Sequence, residues 1–232
     1  MAPDGSHLVA KFFPGTGRSY DRVVRVTTLG LDGLWKRRLL SQVPRTARAV
    51  LDLACGTGIV TFELLRRLPG ARVVGVDVTD DYLAVAREKH RRRGGRVEFL
   101  LGDAETTWVV DHGPFDAIVS SYIPKYVDPD RLLGNVTPSL VPGGVLALHD
   151  FSWPPPGVVR TVWEAYFAVL DPVARRMFPE WGRVFDASLA DLIRTTRWDD
   201  AFQDALPRHG FEDVRMERLT LGFSTLVTAR KR

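Results

Sequence analysis

The 232-residue chain predicts an α/β fold built on a mostly parallel sheet with helices on both faces. Three observations predict it. Apolar strand-like runs alternate with helical stretches through the first 150 residues. A glycine-rich turn, Cys55-Gly56-Thr57-Gly58, joins the first run to a helix, and the second run ends in an acid, Asp77. The length suffices for one such domain with a sizeable core.

The first strand ends Val50-Leu51-Asp52-Leu53, and Ile59 to Leu65 opens a helix behind the turn. Glycines let the backbone turn sharply and approach a ligand. The helix start adds free N–H groups and a positive dipole end, which suit an anionic group. The second strand, Arg72 to Asp77, ends 25 residues beyond Asp52, where a carboxylate can accept both ribose hydroxyls. Tyr82, Leu83, Val85 and Ala86 mark the next helix, and the basic run Arg87 to Arg96 complements its C-terminal end. A third strand, Arg96 to Leu101, leads into Gly102-Asp103-Ala104-Glu105. A fourth spans Phe115 to Ser121, with Asp116 read as a structural cap. Pro142-Gly143-Gly144 predicts a turn before a fifth, Val145 to Asp150.

Pro154 to Pro156 stops that strand, since proline cannot donate to a ladder. Apolar residues then recur at helical spacing from Val158 to Leu170. Phe178, Trp181, Phe185 and Trp198, among Arg175, Arg176, Arg183 and Arg197, suit either an ordinary core or an acceptor lid. Gly210 to Arg218 and Gly222 to Ala229 read as two closing strands. The chain divides into an N-terminal helical flap (1–45), a cofactor-binding half (46–150) and a lid with closing strands (151–232).

The turn narrows the cofactor. A dinucleotide fingerprint needs a third glycine where Thr61 stands, and a P-loop needs Gly-Lys-Ser/Thr, which is absent. One cysteine, Cys55, excludes an intramolecular disulfide and reads as a packing residue, not a reactive thiol. No leader or membrane-spanning run is visible, so a soluble, cytoplasmic chain is expected. The net charge of +4 permits peripheral contact with an anionic membrane surface.

Taken together, the Gly-Thr-Gly turn, the acids after the second and third strands, and the Pro-Gly-Gly turn resemble the class I S-adenosylmethionine-dependent methyltransferases. Within them the chain resembles the ubiquinone/menaquinone-biosynthesis C-methyltransferase family. Tyr20-Asp21 stands twelve residues before Leu34-Trp35-Lys36-Arg37, as that family's Tyr-Asp precedes its Trp-Lys/Arg-Arg run. Leu51 to Gly58 matches the family turn with Cys55 in place of a glycine, and His149-Asp150-Phe151-Ser152 matches its Leu-Glu-Phe-Ser. It departs at Tyr122 to Val127, where the family has Phe-Gly-Leu-Arg-Asn-Val, and at Val24, where an asparagine is frequent.

The resemblance implies a Rossmann-like, seven-stranded sheet with its last strand antiparallel, and S-adenosylmethionine as cofactor. It implies cofactor contacts at Tyr20, Asp52, Ala54, Gly56, Thr57, Gly58, Asp77, Val78, Asp103, Ala104 and Ser121. The implied acceptor is a demethylmenaquinol or related prenylated quinol, whose tail would need a lipid surface. C-methylation of a hydroquinone needs a base for a ring hydroxyl. Asp150 and His149 at the fifth strand's end are the candidates, on opposite faces, with Tyr122, Lys125 and Tyr126 orienting the acceptor. Alternatives are another lipid, phenolic or amine acceptor, an NAD-dependent oxidoreductase, or a non-catalytic binding protein. Nucleic acid is not an expected partner, because an Asn-Pro-Pro-Tyr motif is absent and Cys55 lies in the turn. No metal site is expected, and the oligomeric state is left open, a homodimer included.

Overall fold

The computed structural model describes residues 13, 15–106, 111–182, 184 and 189–232; the lid candidates Arg183 and Phe185 lie outside them. The strands are β1 (Ala49–Leu53), β2 (Arg72–Asp77), β3 (Val97–Leu101), β4 (Phe115–Ser121), β5 (Leu140–Phe151), β6 (Phe211–Leu219) and β7 (Ser224–Lys231). They form one sheet in the order β3-β2-β1-β4-β5-β7-β6. Strands β1 to β5 are parallel, and β7 runs antiparallel between β5 and β6. The order reverses between β1 and β4, which makes their C-terminal ends the crevice where open α/β sheets bind ligands.

The described helices are α1 (Tyr20–Thr27), α2 (Leu31–Leu40), α3 (Ile59–Arg67), α4 (Asp80–Arg93), α5 (Pro129–Val136), α6 (Val158–Met177), α7 (Leu189–Thr195) and α8 (Trp198–Arg208). Side-chain alternation along the central strands feeds two cores. Leu51, Leu53, Val74, Val76, Ile118, Leu146 and Leu148 pack with Leu132 of α5 and Phe202 of α8. Their neighbours Val50, Val73, Val119, Val145 and Ala147 pack with Leu39 of α2 and Leu64 of α3. Buried strands covered on both faces read as continuous apolar runs. A third, smaller cluster joins Val23 of α1 to Phe178 and Trp181 beyond α6, so α1 and the segment after α6 share their own core.

Two boundaries differ from the sequence reading. Strand β5 begins at Leu140, not Val145, and runs through Pro142-Gly143-Gly144 with a register shift against Phe115 and Ala117 of β4. Gly143 takes a left-handed φ of 74° there, a bulge in place of a separate turn. Helix α6 continues past Leu170 to Met177, through Pro172. Pro172 has no N–H for the Ala168 carbonyl one turn back, and both residues face solvent, where such a carbonyl can be hydrated. Asp116 does act as a cap: its carboxylate accepts from the backbone N–H groups of Arg48 (2.7 Å) and Ala49 (2.9 Å) at the start of β1.

Candidate active site

A cavity of about 620 Å³ opens over the C-terminal ends of β1, β2, β4 and β5 and is roofed by α1 and α6. At one end its wall is the glycine turn and the strand ends: Ala54, Gly56, Asp77, Val78, Asp103, Ala104 and Ser121. At the other it is aromatic: Tyr20, Trp35, Tyr122, Tyr126, Phe151 and, from α6, Trp163, Tyr166 and Phe167. Trp163 stacks on Phe167 at 3.8 Å, and Tyr122 stacks on Phe151 at 4.9 Å with planes 12° apart.

The turn is held by Asp77. Its two carboxylate oxygens accept from the backbone N–H groups of Gly56 and Thr79, each at 2.8 Å. Gly56 (φ 55°) and Gly58 (φ 86°) are both left-handed, and a Cβ on Gly58 would meet the Phe62 ring at 2.6 Å. Asp77 and Asp103 stand at neighbouring strand ends on the cavity wall. Carboxylates so placed can accept hydroxyl and amine hydrogens of a nucleoside, so the donor set fits the implied cofactor.

Three implied cofactor residues stand elsewhere. Asp52, Thr57 and Gly58 do not line the cavity. The Thr57 hydroxyl instead donates to Asp21 of α1, whose other oxygen accepts from Lys89 at 2.6 Å. That link ties α1 to the turn and gives the Tyr20-Asp21 pair a division of labour: Tyr20 walls the cavity while Asp21 anchors the helix. Asp52 borders a separate void of about 20 Å³ with Lys36, Gly56 and Ser121, room for one water-sized group. Its carboxylate accepts from the Thr61 hydroxyl at 2.6 Å, so Thr61 couples strand to helix where a dinucleotide fold has its third glycine.

Burial pushes the Asp52 carboxyl up to about 7, against the Thr61 hydrogen bond. A folded value above the unfolded ~3.9 means this group's stabilisation is complete below ~3.9 and lost as pH rises through about 7. Asp52→Asn keeps the hydrogen bond and cannot ionise. In chemical denaturation without ligand it should gain about 2–3 kcal/mol on wild type between roughly pH 5 and pH 8. A difference that stays flat with pH would show that the carboxyl titrates normally.

The two candidate bases of β5 are the main correction. His149 and Asp150 do point to opposite faces, yet both are fully buried and neither lines the cavity. His149 lies between Ser121 (Nδ1 to Oγ, 3.0 Å) and Ser224 (Nε2 to Oγ, 2.6 Å), and burial lowers its pKa well below the usual value. Asp150 is paired with Lys125 (Nζ to Oδ1, 2.7 Å) and accepts from the backbone N–H groups of Lys125 and Phe151. Burial pushes its carboxyl up and the Lys125 ammonium down. The cause is topological, since β5 is paired with β4 as far as His149 and with β7 to its end, and its side chains are buried from Val145 through Asp150. Lys125 and Tyr126 do reach the cavity wall.

Tyr122 is the third candidate, and it stands in the cavity with a partner the sequence reading missed. Its hydroxyl donates to Asp32 Oδ1 at 2.5 Å, and the Lys36 ammonium binds the same oxygen while lying 4.6 Å from the centre of the Tyr122 ring. Burial, then the Asp32 charge, raise the phenol well above its usual pKa, so it stays protonated in the resting site. The Tyr122 backbone is left-handed, φ 80°, a conformation costing a side chain on the order of 1–2 kcal/mol. Its N–H to the His149 carbonyl (2.8 Å) and the Phe151 stack hold it there. The signal was available: Asp32, Trp35, Lys36 and Leu39 share one helical face, and an opposite-charge pair among apolar residues on that face needs a buried purpose.

The relatives agree with the geometry. The model of the ubiE/COQ5 methyltransferase family matches residues 2–231. The chain is 34% identical to the demethylmenaquinone methyltransferase of Mycolicibacterium gilvum over 231 residues, covering 97% of this chain and 95% of the relative. It is 32% identical to the enzyme of the same name from Thermus thermophilus, covering 89% and 94%. In fold it is similar to the magnesium protoporphyrin IX methyltransferase of Synechocystis, solved with bound S-adenosylmethionine, at a TM-score of 0.63 and 15% identity over 100% of this chain and 99% of that one. Seven strands in this order, a glycine turn at the switch point and a family match over nearly the whole length converge: the chain belongs to the ubiE/COQ5 family and is an S-adenosylmethionine-dependent methyltransferase.

Proposed function

We propose that this methyltransferase methylates a ring carbon of a demethylmenaquinol or a related prenylated hydroquinol. The observation that carries the reading is the far end of the cavity: aromatic, apolar, and walled in part by Tyr122, whose hydroxyl is backed by the Asp32 carboxylate. The two relatives above are named for demethylmenaquinone, which supports the same class.

When bound, S-adenosylmethionine supplies an electrophilic methyl group. Asp77, Asp103 and Gly56 would hold it at the strand ends, with Tyr20 as the roof. The aromatic walls exclude water and fix the acceptor ring flat, which favours in-line alignment. A ring hydroxyl at Tyr122 Oη gives up its proton as Tyr122 passes its own to Asp32 Oδ1, and Lys36 holds that carboxylate in place. The neighbouring ring carbon thereby becomes nucleophilic. After methylation it releases its own proton to solvent, which restores the aromatic ring, and Asp32 returns the stored proton to the ring oxygen through Tyr122. Asp150 and His149 support this arrangement without touching the acceptor, Asp150 by fixing Lys125 and His149 by accepting the Tyr122 N–H on its carbonyl.

Labelled methyl transfer into extracted lipids tests the substrate class. Label in a menaquinone is the expected result; label in a phospholipid amine, or none in the lipid fraction, overturns it. Asp77→Ala tests the donor end. It removes the acceptor for two backbone N–H groups, at about 1–3 kcal/mol each, and the sugar's partner. Calorimetry should show much weaker S-adenosylmethionine binding with a lowered melting temperature, and unchanged affinity would reject the assignment.

A further inference from the structure

Helix α6 turns an unusually apolar face to solvent. Val158, Val162, Val169 and Val173 are 81%, 56%, 67% and 48% exposed. At 100° per residue they fall within about 60° of arc, a single stripe running most of the helix. The other exposed positions are mostly small or apolar, Ala165, Ala168 and Pro172 among them; only Glu164 and Arg176 carry charge. Scattered exposed aliphatics are ordinary, but an aligned row on one helix is not.

Two further observations say what covers it. First, the stripe is continuous with the cavity mouth. Val162 belongs to the stripe and lines the cavity, and so does Leu29, which is 74% exposed in the turn between α1 and α2. The Tyr166 hydroxyl on α6 donates to the Thr27 carbonyl, so α1 lies directly alongside. Second, the neighbouring surface is basic. Arg22 and Arg25 are exposed on α1, Arg18 is exposed in the turn just before it, and Arg176 closes the stripe. Among the described residues Arg18, Arg25 and Arg176 form no ion pair, and Arg22 lies over the Phe178 ring at 5.8 Å. The acid on this side of α1, Asp21, is already taken by Lys89 and Thr57.

We infer that the outer face of α6 and the arginines on and just before α1 dock the enzyme on an anionic bilayer surface, with the cavity mouth turned to the lipid. An aliphatic row flanked by unpaired arginines matches a headgroup boundary, where apolar residues enter and cations meet phosphate. A second copy seated on the same stripe would bring both sets of arginines together, which disfavours a dimer there. The inference deepens the quinol reading, on which its purpose rests. A prenyl tail leaving between Leu29 and Val162 passes directly into the bilayer, so the ring can be methylated without extracting the whole molecule from lipid.

Co-sedimentation with vesicles tests docking without any methyl acceptor. Wild-type protein should bind phosphatidylcholine vesicles containing phosphatidylglycerol, bind pure phosphatidylcholine weakly, and lose binding with added salt. An arginine near such a surface contributes about fivefold, so Arg18→Glu/Arg25→Glu should weaken binding at least 25-fold. Val169→Glu/Val173→Glu should abolish it; none of these four residues lines the cavity. Both variants should keep the wild-type melting temperature and methylate a short-tailed quinol in detergent at the wild-type rate. Wild-type protein that ignores anionic vesicles overturns the inference, as do variants that bind normally. So does a wild-type dimer split by Val169→Glu/Val173→Glu, which would give the stripe to a second copy. A docking enzyme that methylates no quinol would fail the substrate reading alone.

Discussion

Tyr122→Phe is expected to lower kcat for a quinol acceptor on the order of 10²-fold or more, with S-adenosylmethionine affinity unchanged. The substitution keeps the ring that stacks on Phe151 and lies beneath the Lys36 ammonium, and it removes only the hydroxyl that bridges acceptor and Asp32. An interaction made in the transition state is lost, so kcat and kcat/KM should fall together. Asp32→Asn should be comparably slow, because the amide oxygen can still accept from Tyr122 but cannot take its proton. A chemistry that needs no deprotonation, such as transfer to an amine, would leave Tyr122→Phe near wild-type turnover. That outcome would remove the proton path and weaken the quinol reading with it.

The second large effect is on stability. Asp150→Ala leaves the Lys125 ammonium, 3% exposed, without its carboxylate. Breaking a buried pair from one side costs about 3–5 kcal/mol, which in a chain of this size lowers the melting temperature on the order of 10 °C. Lys125→Met/Asp150→Leu should recover much of that loss, since apolar residues can replace a buried pair at little net cost. Were Asp150 itself the base, Asp150→Asn would abolish turnover in a protein that melts normally. Placement off the cavity predicts the reverse: a destabilised enzyme that retains measurable turnover at low temperature.

The cofactor half was legible because its chemistry is local. A strand, a glycine turn and a helix start follow one another in sequence, and the acid at Asp77 reaches back only 21 residues to Gly56. The two closing strands followed from the same short-range patterns, whereas the Asp116 carboxylate reaches 68 residues back to the Arg48 N–H at the start of β1. The acceptor half was not local. Tyr122 and Asp32 are 90 residues apart, and the pair forms only because α2 packs across the sheet beside β4 and β5. His149 and Asp150 looked available because ligands collect at strand ends. What sequence did not show is that serines at 121 and 224, and a lysine at 125, fill the space around them first.

Cys55 occupies a turn position that is glycine in the family it resembles, and the structure shows what permits the exchange. A Cβ built on Gly75 of β2 would stand 3.0 Å from the Cys55 sulfur and 3.2 Å from its Cβ, with the Phe99 ring at 3.1 Å. The two positions therefore draw on one shared volume across adjacent strands. A side chain at 55 disfavours one at 75, and enlarging residue 75 needs room from both Cys55 and the Phe99 ring. Sequence libraries that vary the cofactor turn should therefore vary residues 55 and 75 together, so that crowding between them is not mistaken for an effect on the ligand.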